Sequence, residues 1–182
     1  MYITIFKRYL KLPHLFSLPD YHRIFNLANM EHESYMERNL GFKERRYIEE
    51  LRILTKSTAL DCLIDEKFDR IIFVIRAGDM GYAIGKKGDN IRRLQGVTGR
   101  KVEMVEFAEK MEEFLANIFK PAQILKYSCD DQSKKMNIFV PDKNDVGIAI
   151  GKGGCTIEKA RLLIRRFYGF EIGEVFSEEG SE

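Results

Sequence analysis

From residue 42 onward the alternation of apolar and polar positions is regular, and the same order of elements is read twice. Tyr47, Ile48, Leu51 and Leu54 or Thr55 mark one face at helical spacing, which predicts a helix over about residues 43–57. Two runs that read as β-strands follow, Ala59–Asp65 and Arg70–Arg76, separated by the turn-like Glu66-Lys-Phe-Asp69. A short helix near Asp79–Ile84, a glycine loop at 85–88, a helix with Ile91 and Leu94 facing inward and a strand over Lys101–Phe107 complete the first half.

The second half repeats that order. Phe114, Leu115, Ile118 and Phe119 predict a helix that stops before Pro121, whose ring clashes with a continuing turn. Strands are expected at Gln123–Cys129 and Lys135–Val140, around the turn Asp130-Asp-Gln-Ser133. A short helix leads to Gly151, and Ile157, Ala160, Ile164 and Phe167 then recur at the spacing of a buried amphipathic stripe. A last strand over Phe170–Phe176 precedes an acidic tail, 177–182, expected to be disordered. Residues 1–41 have no counterpart in the repeat. Pro13, Pro19 and scattered charges interrupt their apolar stretches, so a poorly ordered extension is expected there.

The repetition extends to identities. Asp79, Gly81, Ala83, Ile84, Gly85, Lys86, Gly88 and Ile91 match Asp145, Gly147, Ala149, Ile150, Gly151, Lys152, Gly154 and Ile157. Gly85 and Gly151 are 66 residues apart, so the chain is expected to hold two similar small domains, 42–107 and 108–176. Modules of that size sit near the lower limit for an independent core, and packing between them is therefore expected.

A Gly-x-x-Gly loop between helices admits close approach by a ligand, because glycine lacks Cβ and tolerates positive φ. Amides opening the following helix then face an anion favoured by the helix dipole. The competing reading is a tight helix turn with no ligand, which two lysine-bearing copies make harder to sustain. A phosphate-binding nucleotide loop does not fit. It needs four residues between its glycines and Lys-Ser/Thr after the second, whereas three residues separate Gly81 from Gly85, and Lys86 and Lys152 are followed by Lys87 and Gly153. A dinucleotide fingerprint fails as well, with Thr156 where its last glycine belongs.

Composition narrows the classes further. A hydrophobic share of 45% with 32% charged residues fits a soluble globular protein, and no apolar run approaches membrane-spanning length. Net charge is only +2, so any case for a polyanionic partner rests on where the charges lie. His14, His22 and His32 all precede the repeat, which removes His-based nucleophilic and zinc chemistry from it. Cys62, Cys129 and Cys155 lack metal or redox spacing and read as small apolar fillers in a reducing compartment. Adjacent acids such as Glu112/Glu113 and Asp130/Asp131 look like exposed helix and turn residues rather than a converging catalytic pair. No catalytic residue, metal ligand or cofactor is expected.

Ile-Gly-x-x-Gly between helices, in this setting of strands, resembles the KH domain of RNA-binding proteins, whose GXXG loop clamps about four nucleotides. Two strands precede each loop and one follows, the prokaryotic or type II order. The resemblance covers residues 42–176 and implies an α+β fold of two tandem type II KH domains packed as a rigid pair. With almost no linker after Phe107, the pair is similar to that of NusA-type transcription factors in their short archaeal form. Arg46-Tyr-Ile-Glu-Glu-Leu51, Asp69-Arg-Ile-Ile-Phe-Val74 and Asn117-Ile-Phe-Lys-Pro-Ala122 carry that likeness. The first 40 residues depart from it.

The resemblance implies that Gly85, Lys86, Lys87 and Gly88, with Gly151, Lys152, Gly153 and Gly154, cradle RNA phosphates. Ile84 and Ile91, or Ile150 and Ile157, either line the groove floor or are ordinary core. Arg92, Arg93, Arg100 and Lys101, with Lys159, Arg161, Arg165 and Arg166, either extend a basic track or belong to solvated helix faces. Single-stranded RNA is the implied ligand, RNA polymerase or a transcription complex a further partner, and the cytoplasm the setting. A ribosome-associated or RNA-processing KH protein is the alternative, and a nucleotide-binding enzyme a weaker third.

Overall fold

The computed structural model describes residues 40–179. The expectations for residues 1–39 and 180–182 lie outside the described residues. The elements are α1 (Phe42–Thr55), β1 (Ala59–Asp65), β2 (Arg70–Ile75), α2 (Met80–Ile84), α3 (Asp89–Thr98) and β3 (Lys101–Glu106). They are followed by α4 (Met111–Phe119), β4 (Lys126–Asp130), β5 (Lys135–Val140), α5 (Lys143–Ile150), α6 (Cys155–Tyr168) and β6 (Glu171–Ser177). One short 3-10 turn stands between α2 and α3, and another between α5 and α6.

Each half carries a three-stranded sheet, ordered β1-β2-β3 and β4-β5-β6. The first two strands of each sheet are antiparallel, and the last runs parallel to the middle one. A parallel neighbour requires a crossover, which the α2–α3 and α5–α6 segments supply. Fold and strand order are those expected for two successive type II KH domains.

The element ends depart from the expected ones in places where a side chain or special backbone decides. Helix α1 stops at Thr55 because Lys56 turns left-handed (φ 59°), its amide donating to the Arg52 carbonyl at 2.9 Å. Strand β4 starts later than expected: the Gln123 amide donates to Asp145 Oδ1 at 3.3 Å, and only from Leu125, whose amide reaches the Phe139 carbonyl, does pairing with β5 begin. Strand β6 continues through Ser177, and the Glu178 amide donates to the Val140 carbonyl at 3.0 Å. The first residues of the expected tail are therefore held by the sheet.

Alternation along β2 explains how the halves join. Ile71, Phe73 and Ile75 point into the core with Tyr47, Leu51, Ala83 and Leu94. Arg70, Ile72 and Val74 point the other way, yet they too are buried. Register places Asp61 opposite Val74 and Glu103 opposite Ile72, so these acids share that outer face. Helix α6 covers it. Arg166 makes a two-bond pair with fully buried Asp61, at 2.7 and 3.0 Å. Arg70, only 2% exposed, donates to Asp65 Oδ2, Glu103 Oε1 and the Cys155 carbonyl, each at 2.7 Å. Burial alone would lower the Arg70 pKa, but the hydrogen bonds to Glu103 and Asp65 outweigh it and raise it.

Lys159 meets Glu103 at 3.3 Å, and Lys67 meets Glu158 at 3.1 Å. An aromatic cluster of Phe107, Phe114 and Phe167, with centroids 5.2–5.9 Å apart, closes the junction where the chain passes from β3 to α4. Arg166→Ala, which removes two charge-assisted hydrogen bonds from the buried Asp61 carboxylate, is expected to cost about 1–3 kcal/mol in denaturant unfolding. Arg165→Ala, at an exposed pair with Glu171, should change stability by well under about 1 kcal/mol.

Candidate nucleic-acid interface

The two glycine turns have nearly the same backbone. Gly85 lies at φ 71°, ψ 172° and Gly151 at φ 74°, ψ 169°, a region essentially reserved to glycine. Each ends the preceding short helix by donating its amide to the first glycine of the motif, Gly81 at 3.0 Å or Gly147 at 2.9 Å. The turn is closed from Gly88 N–H to the Gly85 carbonyl at 3.1 Å, and from Gly154 N–H to the Gly151 carbonyl at 3.0 Å. There is no room for a larger residue at the first position. A Cβ on Gly85 would lie 2.7 Å from Asn90 Cγ, and one on Gly151 would lie 2.9 Å from the Thr156 backbone nitrogen.

Gly88 and Gly154 then act as N-caps of α3 and α6 in left-handed geometry, with no side chain capping either helix. The Asp89 and Cys155 amides turn back to the Lys86 and Lys152 carbonyls, no side chain competes for the other first-turn amides, and the helix dipole favours an anion at such an end. Lys86, Lys87 and Lys152 are exposed, and none is ion-paired among the described residues. Lys87 sits left-handed (φ 53°) at the position that Gly153 occupies in the second turn (φ 62°).

The remaining cations are committed differently from one another. Among the described residues, every member of the expected basic track except Lys101 has a carboxylate within 4 Å. Arg92 and Arg93 share Asp89, at 3.8 and 2.9 Å, and Arg92 also donates to the Lys87 carbonyl. Arg100 pairs with Glu66, Arg161 with Glu158 and Arg165 with Glu171. Arg166 and Lys159 are structural: both bridge to acids of the first sheet, and Lys159 is only 12% exposed. Lys159 thus departs from its expected place beside the loop, because i+7 from the turn places it on the α6 face that meets β3.

The isoleucines differ in burial. Ile157 is buried core and Ile91 packs half-buried against the first core, while Ile84 is half-buried and Ile150 is 40% exposed beside its turn. Two residues identical between the copies had no role assigned from sequence. Asp79 accepts from the Thr58 amide at 2.9 Å and from Arg76 at 3.0 Å, while Asp145 accepts from Gln123. Each ties the segment before its first strand to the helix that leads into the turn. The Thr58 bond, with Arg76 adding to it, holds the Asp79 carboxyl below the usual carboxylate range. Their identity across the repeat was the available signal.

Nothing in the described residues converges as a catalytic site does. Glu112 accepts from Tyr127 Oη at 2.9 Å, Glu113 pairs with Lys110, Asp130 binds Ser133 and Asp131 pairs with Lys134. Among the described residues no group of three or more His, Cys, Asp or Glu is arranged to hold a metal, and no helix is long and apolar enough to cross a membrane. Burial pushes the Cys62 thiol far up; Cys129, expected to be an apolar filler, is exposed.

Two successive modules with a mixed sheet, a helix–GXXG–helix and the strand order described define a KH-domain protein, and the family model for the KH domain matches residues 44–108 and 110–178. The chain is 34% identical over 132 residues to the probable transcription termination protein NusA of Halobacterium salinarum, covering 72% of this chain and 94% of that one. It is 28% identical to the transcription termination/antitermination protein NusA of Bacillus subtilis over 65% of this chain and 32% of that one. The crystal structure of APE1850 superposes with a TM-score of 0.69 at 32% identity, covering 76% of this chain and 100% of that one. The chain belongs to the archaeal NusA-like family of tandem KH proteins.

Gly85→Ala and Gly151→Ala are each expected to lower stability by about 1–3 kcal/mol in thermal or denaturant unfolding, since both the dihedral region and the space exclude Cβ. Gly81→Ala is the control: a Cβ there meets nothing within 4 Å, and alanine favours the helix by roughly 0.5–1 kcal/mol.

Proposed function

We propose that the chain binds single-stranded RNA at both GXXG turns and acts in transcription elongation and termination, by binding rather than by catalysis. One observation carries this reading: the two turns share one backbone geometry, open helices whose first-turn amides no side chain caps, and keep Lys86, Lys87 and Lys152 out of ion pairs among the described residues. Phosphates would be held by those amides and lysines, with unpaired bases lying against Ile84 and Ile150. Arg92 and Arg93 are exposed, and surface pairs of that kind are worth at most about 1 kcal/mol, so a phosphate can replace Asp89 as their partner. Lys159 supports the site from behind.

The first turn carries two lysines against one in the second, so it is the stronger electrostatic contact. Holding both turns on one rigid pair raises the local concentration of the second site, and joint binding can exceed either by about 10²-fold. The relatives are named for transcription termination, and the partner proposed on that basis is RNA polymerase or a transcription complex reached through the RNA, with the cytoplasm as the proposed setting. Recovery of tagged protein with RNA polymerase is expected; recovery with ribosomal subunits alone would favour an RNA-processing or ribosomal role instead.

The doubly substituted Lys86→Asp, Lys87→Asp protein is expected to keep its melting temperature and lose more RNA affinity than Lys152→Asp, read by fluorescence anisotropy. The dependence of log affinity on log salt should become shallower by roughly 0.7 for each phosphate that the variant no longer neutralises. Unchanged affinity and slope in both variants would remove the turns from the binding site.

A further inference from the structure

The two grooves differ at one further position, which the lysines do not explain. Tyr82 and Ile148 are equivalent in the repeat, three residues before Gly85 and Gly151. Ile148 is half-buried, whereas the Tyr82 side chain stands out from α2 at 69% exposure, although neighbouring Ala83 is fully buried. Its backbone is held firmly. Asn90 Nδ2, in the first turn of α3, donates to the Tyr82 carbonyl at 2.8 Å, bridging the GXXG turn from one helix to the other. The same Asn90 fills the space against which Gly85 is packed. Gly81 on one side of Tyr82 has no side chain and open space around it, so nothing there screens the ring. The tyrosine side chain makes no hydrogen bond or ring contact among the described residues.

From this placement we infer that Tyr82 is a stacking platform for a base of the RNA strand in the first groove, a contact that the second groove lacks. This rests on the RNA-binding reading proposed above and deepens it. The exposed ring stands on the five-residue helix that leads directly into the first turn, so a strand held by that turn passes beside the helix that carries it. Every base has a π-face, so such a contact adds affinity with little sequence preference. It is also independent of salt, because no counterion is released when an uncharged ring is covered. The first module then combines two free lysines with an aromatic platform, and the second depends on Lys152 and apolar contacts.

The test uses the full chain and a short single-stranded oligouridylate, with Tyr82→Phe, Tyr82→Leu, Tyr82→Ala and the Lys86→Asp, Lys87→Asp double variant. Loss of an exposed side chain should leave melting temperatures unchanged. Tyr82→Phe is expected to bind like the parent chain, while Tyr82→Leu and Tyr82→Ala lose about tenfold in affinity with no change of salt slope. An oligomer carrying abasic sites should bind the parent chain and Tyr82→Ala equally. If Tyr82→Ala or Tyr82→Leu binds as tightly as the parent while the lysine variant is weakened, the stacking inference fails and the turn assignment stands. If neither the tyrosine nor the lysine variants alter affinity, the RNA-binding reading fails with it.

Discussion

The outer face of the first sheet carries Asp61, Asp65, Arg70 and Glu103 among Ile72 and Val74, and by itself it would be a poor surface to bury. Charges removed from water are costly unless each meets a partner of good geometry. Helix α6 of the second module supplies those partners, with the Arg166 guanidinium on Asp61, the Cys155 carbonyl on Arg70 and Lys159 on Glu103. Ile72 and Val74 add apolar area between the polar contacts. The pair is thereby fixed in one orientation, since sliding the helix by a turn would strand several charges together.

Docking of α6 also sets the spacing of the two turns. Cys155 is the first residue of α6 and follows the second GXXG directly, so the helix that presents the second turn is also the helix docked on the first sheet. Any strand of RNA spanning both turns therefore meets them at a separation set by folding rather than by a flexible linker. The second sheet has no such cover among the described residues. Its corresponding face carries Lys126, Ser128 and Asn137 with the stacked Phe139 and Phe176, and Lys126 stands at the place that Asp61 takes in the first sheet. The two modules thus share a backbone and differ in surface.

Much of the fold was legible from periodicity. The strands over Ala59–Asp65 and Lys135–Val140 and the stripe of α6 depend on local alternation, and local alternation is written along the chain. Boundaries were less legible at Lys56, Gln123 and Ser177, where a left-handed residue, an aspartate from a distant helix or a neighbouring strand decides the end. The glycine turns were readable because Gly85 and Gly151 occupy dihedrals that other residues avoid, which leaves an identity in the sequence. Tyr82 was not legible, because exposure cannot be inferred for a residue flanked by a buried alanine and a bare glycine.

The basic track shows where sequence reasoning stops. Arg92, Lys159 and Arg166 look alike as positive residues on helices that follow a GXXG, and composition offers no means of separating them. The sequence by itself determined the repeat, the element order, the two turns and the lysines they carry, because each depends on near neighbours in the chain. Tertiary structure decided which cations remain available and which lock the modules together. Asp61 and Arg166 are 105 residues apart, and only the folded chain brings their charges to 2.7 Å and buries the carboxylate.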